Sequence, residues 1–168
     1  MKTKEKITVS LTKLMQEKKF ETITVKEISE KAGIYRSTYY RNFESKEDII
    51  KYKLSMIMDE YLETYDNQEE NTKKQYFTII FNIFQKYESF LKIIHQQKQS
   101  YLIQQVIHEY FQKLLLKNKT EQYDVYYHIG GIYNFLICWL ENDMKETPEQ
   151  LTEIAMEITK NKTPYLLR

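Results

Sequence analysis

The sequence has few residues that break a helix or cross-link a chain. Its 168 residues include 3 Gly, 2 Pro and 1 Cys. So few Gly and Pro leave little room for tight turns, which favours long helices joined by short connections. A single Cys excludes an intrachain disulfide and is typical of a reducing compartment. No stretch approaches the roughly 20 apolar residues of a membrane helix, and the N-terminus lacks a signal-peptide core. We therefore expect a cytoplasmic protein that does not enter a membrane.

Charge is unevenly distributed, although the net charge is only +1. Residues 1–54 contain 13 Lys/Arg and 8 Asp/Glu, a net charge of +5, and the rest of the chain carries −4. A basic N-terminal third suggests contact with a polyanion, with a merely solvated basic surface as the alternative.

Apolar residues recur at helical spacing along the whole chain, and no segment alternates as a strand does. The pattern predicts an all-α fold of about nine helices. Thr24, Ser45 and Thr147 each stand three residues before an acidic or amide side chain, which is the spacing of a capping box. The predicted helices cover residues 3–19, 24–32, 36–43, 46–65, 73–95 with a break near 86–88, 100–117, 121–142 and 148 onward.

Residues 33–43 read "GIYRSTYYRNF" and contain no acid after the glycine. At 100° per residue, Tyr39 and Phe43 fall on one side of a helix and can be buried. The opposite arc carries hydroxyl, amide and guanidinium groups, which suit phosphate oxygens and base edges. Two short helices around Gly33 therefore predict a helix-turn-helix motif.

The segment "TVKEISEKAGIYRSTYYRNFESKEDII" resembles the DNA-binding domain of the TetR family of bacterial transcriptional regulators. The resemblance covers about residues 5–55. It implies a helix-turn-helix domain over residues 1–50 and a helical regulatory and dimerisation domain over 51–168. A further segment, "YHIGGIYNFLICWLENDMKETPEQL", resembles a C-terminal subtype of short family members.

The same resemblance assigns roles to residues of the motif. It implies that Thr24, Tyr40 and Lys46 hold the phosphate backbone, and that Arg36, Ser37 and Thr38 lie near base edges. Tyr35 stands where the family commonly has a small capping residue, so it either contacts DNA or covers the turn. The full expected set of DNA contacts is Thr24, Lys26, Tyr35, Arg36, Ser37, Thr38, Tyr40, Arg41, Asn42 and Lys46.

Aromatic residues are concentrated in 76–94, which suggests either plain core or an apolar effector pocket beside the fourth helix. The candidate pocket residues are Met58, Phe81, Phe84, Tyr101, Ile107 and Phe111.

The apolar residues of 125–140 cover an arc of about 200°, against the roughly 100° that a surface helix needs. We expect the excess to be buried in a homodimer formed through residues 121–160. Gly130 and Gly131 suggest close backbone approach, either within the subunit or across the dimer. The candidate interface residues are Tyr126, Ile129, Gly130, Tyr133, Ile137, Leu151, Ile154 and Ile158.

Other chemistry is weakly represented. His95, His108 and His128 lack the spacing of metal ligands, Cys138 reads as a buried inert thiol, and no catalytic constellation or nucleotide fingerprint appears. We therefore expect no enzyme activity, no metal and no cofactor. The preferred prediction is a ligand-responsive repressor that binds a palindromic DNA operator as a homodimer. The alternative is a helical protein-interaction module, or an activator that depends on a protein coactivator rather than an apolar small molecule.

Overall fold

Helices account for all the regular secondary structure in a computed structural model, which describes residues 2–68, 72–111 and 118–160. No strand occurs in these ranges, so the all-α prediction is confirmed. The elements are α1 (Thr3–Glu17), a 3₁₀ helix (Phe20–Thr22), α2 (Val25–Ala32), α3 (Arg36–Tyr40), α4 (Lys46–Asp66), α5 (Lys73–Lys86), α6 (Glu88–Gln96), α7 (Tyr101–Phe111), α8 (Lys119–Glu141) and α9 (Pro148–Ile158).

The helix starts follow local side-chain chemistry. The hydroxyl oxygens of Thr24, Ser45 and Thr147 each accept a hydrogen bond from the backbone N–H three residues on, as their capping boxes predict. Thr72 caps α5 in the same way, with Gln75 completing the box. Helix α5 therefore begins at Lys73, the residue at which the sequence pattern predicted a helix start.

Several predicted helix bounds need correction. Helix α3, predicted to reach residue 43, ends at Tyr40, and Arg41 and Asn42 form a turn rather than a further helical turn. The predicted break near residues 86–88 is confirmed at Tyr87, where α5 ends and α6 begins. Of the helix predicted for 100–117, the part beyond Phe111 lies outside the described residues.

One hydrophobic core runs from the N-terminal helices into the rest of the molecule. In the N-terminal part, α1 packs on α2 and α4, and Ile7, Ile28 and Ile49 are fully buried. Helix α4 continues past residue 50 and packs against α5 and α7, while α5 packs against α9. None of the described helices has the length and apolar character needed to cross a membrane.

The side chain of Gln97, just after α6, joins the N-terminal helices to the rest of the molecule. Its amide oxygen accepts a hydrogen bond from the Phe20 backbone N–H at 2.8 Å. Its amide nitrogen donates to the carbonyl oxygens of Met15 at 2.7 Å and Lys18 at 3.2 Å. Three hydrogen bonds thus fix the C-terminal end of α1 to the end of α6.

Candidate nucleic-acid interface

The turn between α2 and α3 is built around Gly33. Its φ of 66° and ψ of 40° lie in the left-handed region, which a glycine enters without steric cost. The N–H groups of Gly33 and Ile34 donate to the carbonyls of Glu30 and Ser29, which closes the end of α2. This geometry sets the direction in which α3 leaves, so the predicted role of Gly33 is confirmed.

Helix α3 packs against the rest of the protein through one side only. Tyr39 is fully buried and Phe43 is 5% exposed. On the opposite side, Tyr35 is 84% and Tyr40 61% exposed, and Arg36, Ser37 and Arg41 are also exposed. The outer face therefore presents hydroxyls and two guanidinium groups to solvent, and none of these side chains is acidic.

Tyr35 occupies the N-cap position of α3 but makes no side-chain capping hydrogen bond. At 84% exposure its ring does not cover the turn, which removes one of the two roles considered for it. The ring instead projects from the start of α3, next to Arg36.

The side chains of Thr38 and Asn42 are less free to contact DNA than their sequence positions suggest. The Thr38 hydroxyl accepts a hydrogen bond from Arg41 Nη2 at 3.0 Å, and Asn42 Nδ2 donates to the Thr38 carbonyl at 2.7 Å. Both residues are half-buried. These contacts stabilise the C-terminal end of α3. The polar side chains of α3 with the fewest contacts to the rest of the protein are then Arg36, Ser37 and Tyr40.

The N-terminus of α2 carries a compact polar network. The Thr24 hydroxyl donates to Glu27 Oε2 at 2.8 Å, and Lys18 Nζ lies 2.5 Å from Glu27 Oε1. The ammonium of Lys18, with the hydrogen bonds from Thr24, lowers the pKa of Glu27 to about 2. Glu27 therefore stays ionised, and its charge is matched by Lys18. Lys26 is exposed, with a loose 3.9 Å contact to Glu30.

Lys46 has a structural role that the sequence did not reveal. Its ammonium donates to the carbonyl oxygens of Phe20 at 2.7 Å and Ile23 at 2.8 Å, and lies 4.6 Å from the centre of the Phe20 ring. Lys46 thus ties the start of α4 to the 3₁₀ helix that precedes α2. A phosphate oxygen near this ammonium would share it with two carbonyls. No local pattern could show these contacts, because they join residues more than twenty positions apart.

Within the described residues, most of the six candidate pocket residues are part of the hydrophobic core. Phe81 is fully buried, with its ring centre 6.1 Å from those of Phe77 and Trp139. Met58, Phe84 and Ile107 are also buried in the core and Phe111 packs against it, whereas Tyr101 is 45% exposed. Two apolar cavities lie elsewhere: about 380 Å³ between α1, α4 and α6, and about 460 Å³ between α5, α8 and α9. None of the six residues lines either cavity.

The candidate dimer residues divide into an outer and an inner set. Tyr126 is 43%, Ile154 44% and Ile158 65% exposed, and Gly130, Tyr133 and Ile137 are half-buried. Ile129 is 2% and Leu151 6% exposed, so these two belong to the core of their own subunit and offer no surface to a partner. They are therefore removed from the expected interface.

The two helical glycines face open space. A Cβ atom added at Gly130 or Gly131 would meet nothing within 4 Å. Among the residues that the structure describes, no backbone approaches either glycine closely, so close approach within this part of the subunit does not explain them. Approach by a second molecule remains a prediction.

The three histidines contact different side chains: His95 contacts Ser100, His108 contacts Tyr126 and His128 contacts Tyr76. No group of three metal-ligating side chains occurs within the described ranges. His128 is buried and pairs with the Tyr76 hydroxyl at 2.5 Å. Cys138 is exposed, so its expected burial is wrong; the residue lies on the outer side of α8.

A capped helix, a left-handed glycine and a short helix with an exposed polar face together define a helix-turn-helix domain. Residues 7–52 match the family model described as bacterial regulatory proteins of the tetR family. Residues 71–161 match the model of a transcriptional regulator C-terminal region. The chain belongs to the TetR family of bacterial transcriptional regulators.

Known relatives agree with this assignment. The chain is 26% identical to the uncharacterized HTH-type transcriptional regulator YxbF of Bacillus subtilis (strain 168), over 94% of this chain and 45% of that protein. It thus spans about half the length of this curated relative.

Solved structures share the fold at low sequence identity. The crystal structure of Lin0861 from Listeria innocua has a TM-score of 0.80 at 18% identity, covering 95% of this chain and 90% of that one. The fatty acid degradation regulator FadR from Bacillus halodurans has a TM-score of 0.62 at 18% identity, with 92% and 93% covered. The dihydroxyacetone kinase operon activator DhaS has a TM-score of 0.56 at 14% identity, with 95% and 94% covered.

Proposed function

We propose that this protein is a transcriptional regulator that binds a palindromic DNA operator through α3. The observation that carries the proposal is the outer face of α3, which is exposed, free of acidic side chains and anchored from behind by Tyr39 and Phe43. A rigid helix with such a face can enter the major groove, where each base pair presents a distinct pattern of donors and acceptors. A regulator that binds DNA in this way would act in the bacterial cytoplasm.

The exposed side chains divide into two kinds of contact. Arg36 is exposed at the start of α3 and can donate two hydrogen bonds to the O6 and N7 atoms of a guanine. Tyr35 and Ser37 flank it and would lie against neighbouring bases. Tyr40, like Thr24, Lys26 and Arg41, would bind phosphates and set the position of the helix. Thr38, Asn42 and Lys46 would act chiefly by holding this arrangement in place.

The operator would be palindromic because the regulator would be a symmetric dimer. Helices α8 and α9 expose Tyr126, Tyr127, Ile154 and Ile158, at 43%, 67%, 44% and 65%. Two-fold pairing of this surface would bury them, and the open space above Gly130 and Gly131 would admit the partner's backbone. Two copies of α3 would then read two half-sites related by the same symmetry.

The preferred mode is repression that a small ligand relieves. The support for a ligand is the apolar cavity of about 380 Å³ beside α1, a helix of the DNA-binding part. The second candidate is an activator that works through a protein coactivator. It is favoured by the packed aromatic core where an internal effector pocket was expected, and by the shared fold with the operon activator DhaS. A helical interaction module without DNA binding is the third possibility.

Fluorescence anisotropy with a labelled duplex from the region upstream of the protein's own gene tests DNA binding. An excess of unlabelled random duplex should fail to displace the labelled duplex from the protein, whereas an excess of the unlabelled specific duplex should displace it. Arg36→Ala should reduce this preference, with Lys145→Ala, an exposed lysine in the α8–α9 turn, as the control. Equal competition by both duplexes would contradict sequence-specific binding, and no binding of the labelled duplex would favour the interaction module.

A further inference from the structure

The cavity of about 380 Å³ between α1, α4 and α6, here named the junction groove, has an apolar floor that solvent reaches. Its walls include Val9 of α1, Met56 of α4 and Phe90 of α6. Val9 is 41% and Met56 37% exposed, although both are large apolar side chains. Two such side chains sharing one concave site indicate a surface that another apolar group can cover.

Two hydroxyl groups of the groove wall, those of Thr8 and Thr12, already make hydrogen bonds within α1. The Thr8 hydroxyl donates to the Lys4 carbonyl and the Thr12 hydroxyl to the Thr8 carbonyl, both at 2.9 Å. Neither hydroxyl therefore needs a hydrogen bond from an occupant. An apolar chain could therefore lie against α1 without leaving either of these hydroxyls buried and unpaired.

The charges at the rim of the groove have a positive excess. Lys13, Lys53 and Glu5 line the groove. The Glu5 carboxylate accepts a hydrogen bond from the Lys2 backbone N–H at 3.0 Å, as part of the cap of α1. Lys53 Nζ lies 4.7 Å from the centre of the Tyr87 ring and also interacts electrostatically with Glu60, whereas exposed Lys13 makes no ion pair within the described ranges. Among the side chains that line the groove, two ammonium groups accompany one carboxylate, which already takes part in the cap of α1. This positive excess, greatest at Lys13, favours an anionic head group.

We propose that the junction groove binds a small amphipathic anion. The apolar chain lies against Val9, Met56 and Phe90, and the anionic head lies at the rim beside Lys13 and Lys53. The inference deepens the ligand-responsive part of the proposed function and rests on it for its biological meaning. Because α1 belongs to the DNA-binding part and α6 does not, an occupant contacts both, and its affinity depends on their relative position. Ligand binding and DNA binding are then linked reciprocally.

The probe is sodium octanoate, and the readout is the Met56 methyl group. In protein labelled with ¹³C at the methionine methyls, octanoate at millimolar concentration should shift the Met56 signal saturably and leave that of Met144 unchanged. Met56→Leu assigns the signal. Octylamine has the same chain with a cationic head and should bind several-fold more weakly, because a head-group ion pair turns into a repulsion.

Two variants test the parts of the site. Lys13→Glu reverses an exposed charge and should weaken octanoate binding about fivefold, in the range of a surface ion pair. Lys145→Glu, the same change outside the groove, should have no effect. Val9→Ser removes an exposed apolar contact and should also weaken binding without unfolding the protein.

Several results would overturn the proposal. They are the absence of a Met56 shift, equal shifts at Met56 and Met144, equal affinity for octanoate and octylamine, or unchanged affinity in Lys13→Glu. The titration contains no DNA, so a negative result leaves operator binding to be judged on its own assay. Operator affinity measured with and without octanoate then tests the linkage, and an unchanged affinity would refute it.

Discussion

The three hydrogen bonds of Gln97 predict how strongly the DNA-binding helices are tied to the rest of the molecule. One amide group accepts from the Phe20 N–H and donates to the Met15 and Lys18 carbonyls. Each hydrogen bond contributes a net of about 0.5–1.5 kcal/mol. Because Gln97 is half-buried, water can replace some of these hydrogen bonds in a variant and so reduce the loss of stability. We expect Gln97→Ala to lower the free energy of unfolding by about 1–3 kcal/mol.

Gln97→Glu is the sharper test, because it keeps the size and one acceptor oxygen. The group that donates to Met15 and Lys18 becomes an oxygen that faces two carbonyl oxygens. Repulsion replaces attraction, so Gln97→Glu should be less stable than Gln97→Ala at neutral pH. A purely space-filling role for Gln97 predicts the opposite order.

Chemical denaturation at one fixed protein concentration measures the stabilities, and hydrogen exchange of the Phe20 amide reports the local contact. Protection of that amide should fall in both variants. Gln96→Ala, an exposed neighbour at the end of α6, is the matched control. A Gln97→Glu variant as stable as the parent, with the Phe20 amide still protected, would refute the reasoning.

Three further predictions concern the dimer, the buried histidine and Lys46. Ile154→Glu should shift sedimentation towards monomer, while Tyr101→Glu, equally exposed but outside the α8–α9 face, should not; a monomeric parent would contradict this. Burial lowers the pKa of His128 to about 4, so the unfolded chain binds its proton first and stability should fall as the pH drops below about 6.5. The loss between pH 7 and 5 should be roughly 1–2 kcal/mol and should be smaller in His128→Gln, as measured by denaturation. Lys46→Met removes hydrogen bonds to the Phe20 and Ile23 carbonyls and should cost about 2 kcal/mol of stability, against little for exposed Lys19→Met.

Local signals in the sequence predicted the helical motif closely. The cap at Thr24, the glycine turn and the burial of Tyr39 each depend on a few neighbouring residues, and each is confirmed. The end of α3 was placed too late, because the apolar spacing of Tyr39 and Phe43 does not require Arg41 and Asn42 to stay helical.

Features that depend on contacts between distant residues could not be predicted from the sequence. The bonds of Gln97 span 77–82 positions, and the ammonium of Lys46 reaches back to residues 20–23. The aromatic residues of α5 could equally fill or line a space, and only packing shows that Phe81 fills it. Ile129 and Leu151 were assigned to the interface because helical projection cannot distinguish a subunit's own core from a partner's surface.

Selection of bound duplexes from a random pool tests the central claim that α3 reads DNA sequence. The parent protein should enrich a two-fold symmetric motif whose half-sites are spaced for binding on one side of the duplex. Arg36→Ala should lose base preference at one symmetry-related pair of positions and keep most of its non-specific affinity. A pool that remains random after selection with the parent, or a motif unchanged by Arg36→Ala, would contradict the account.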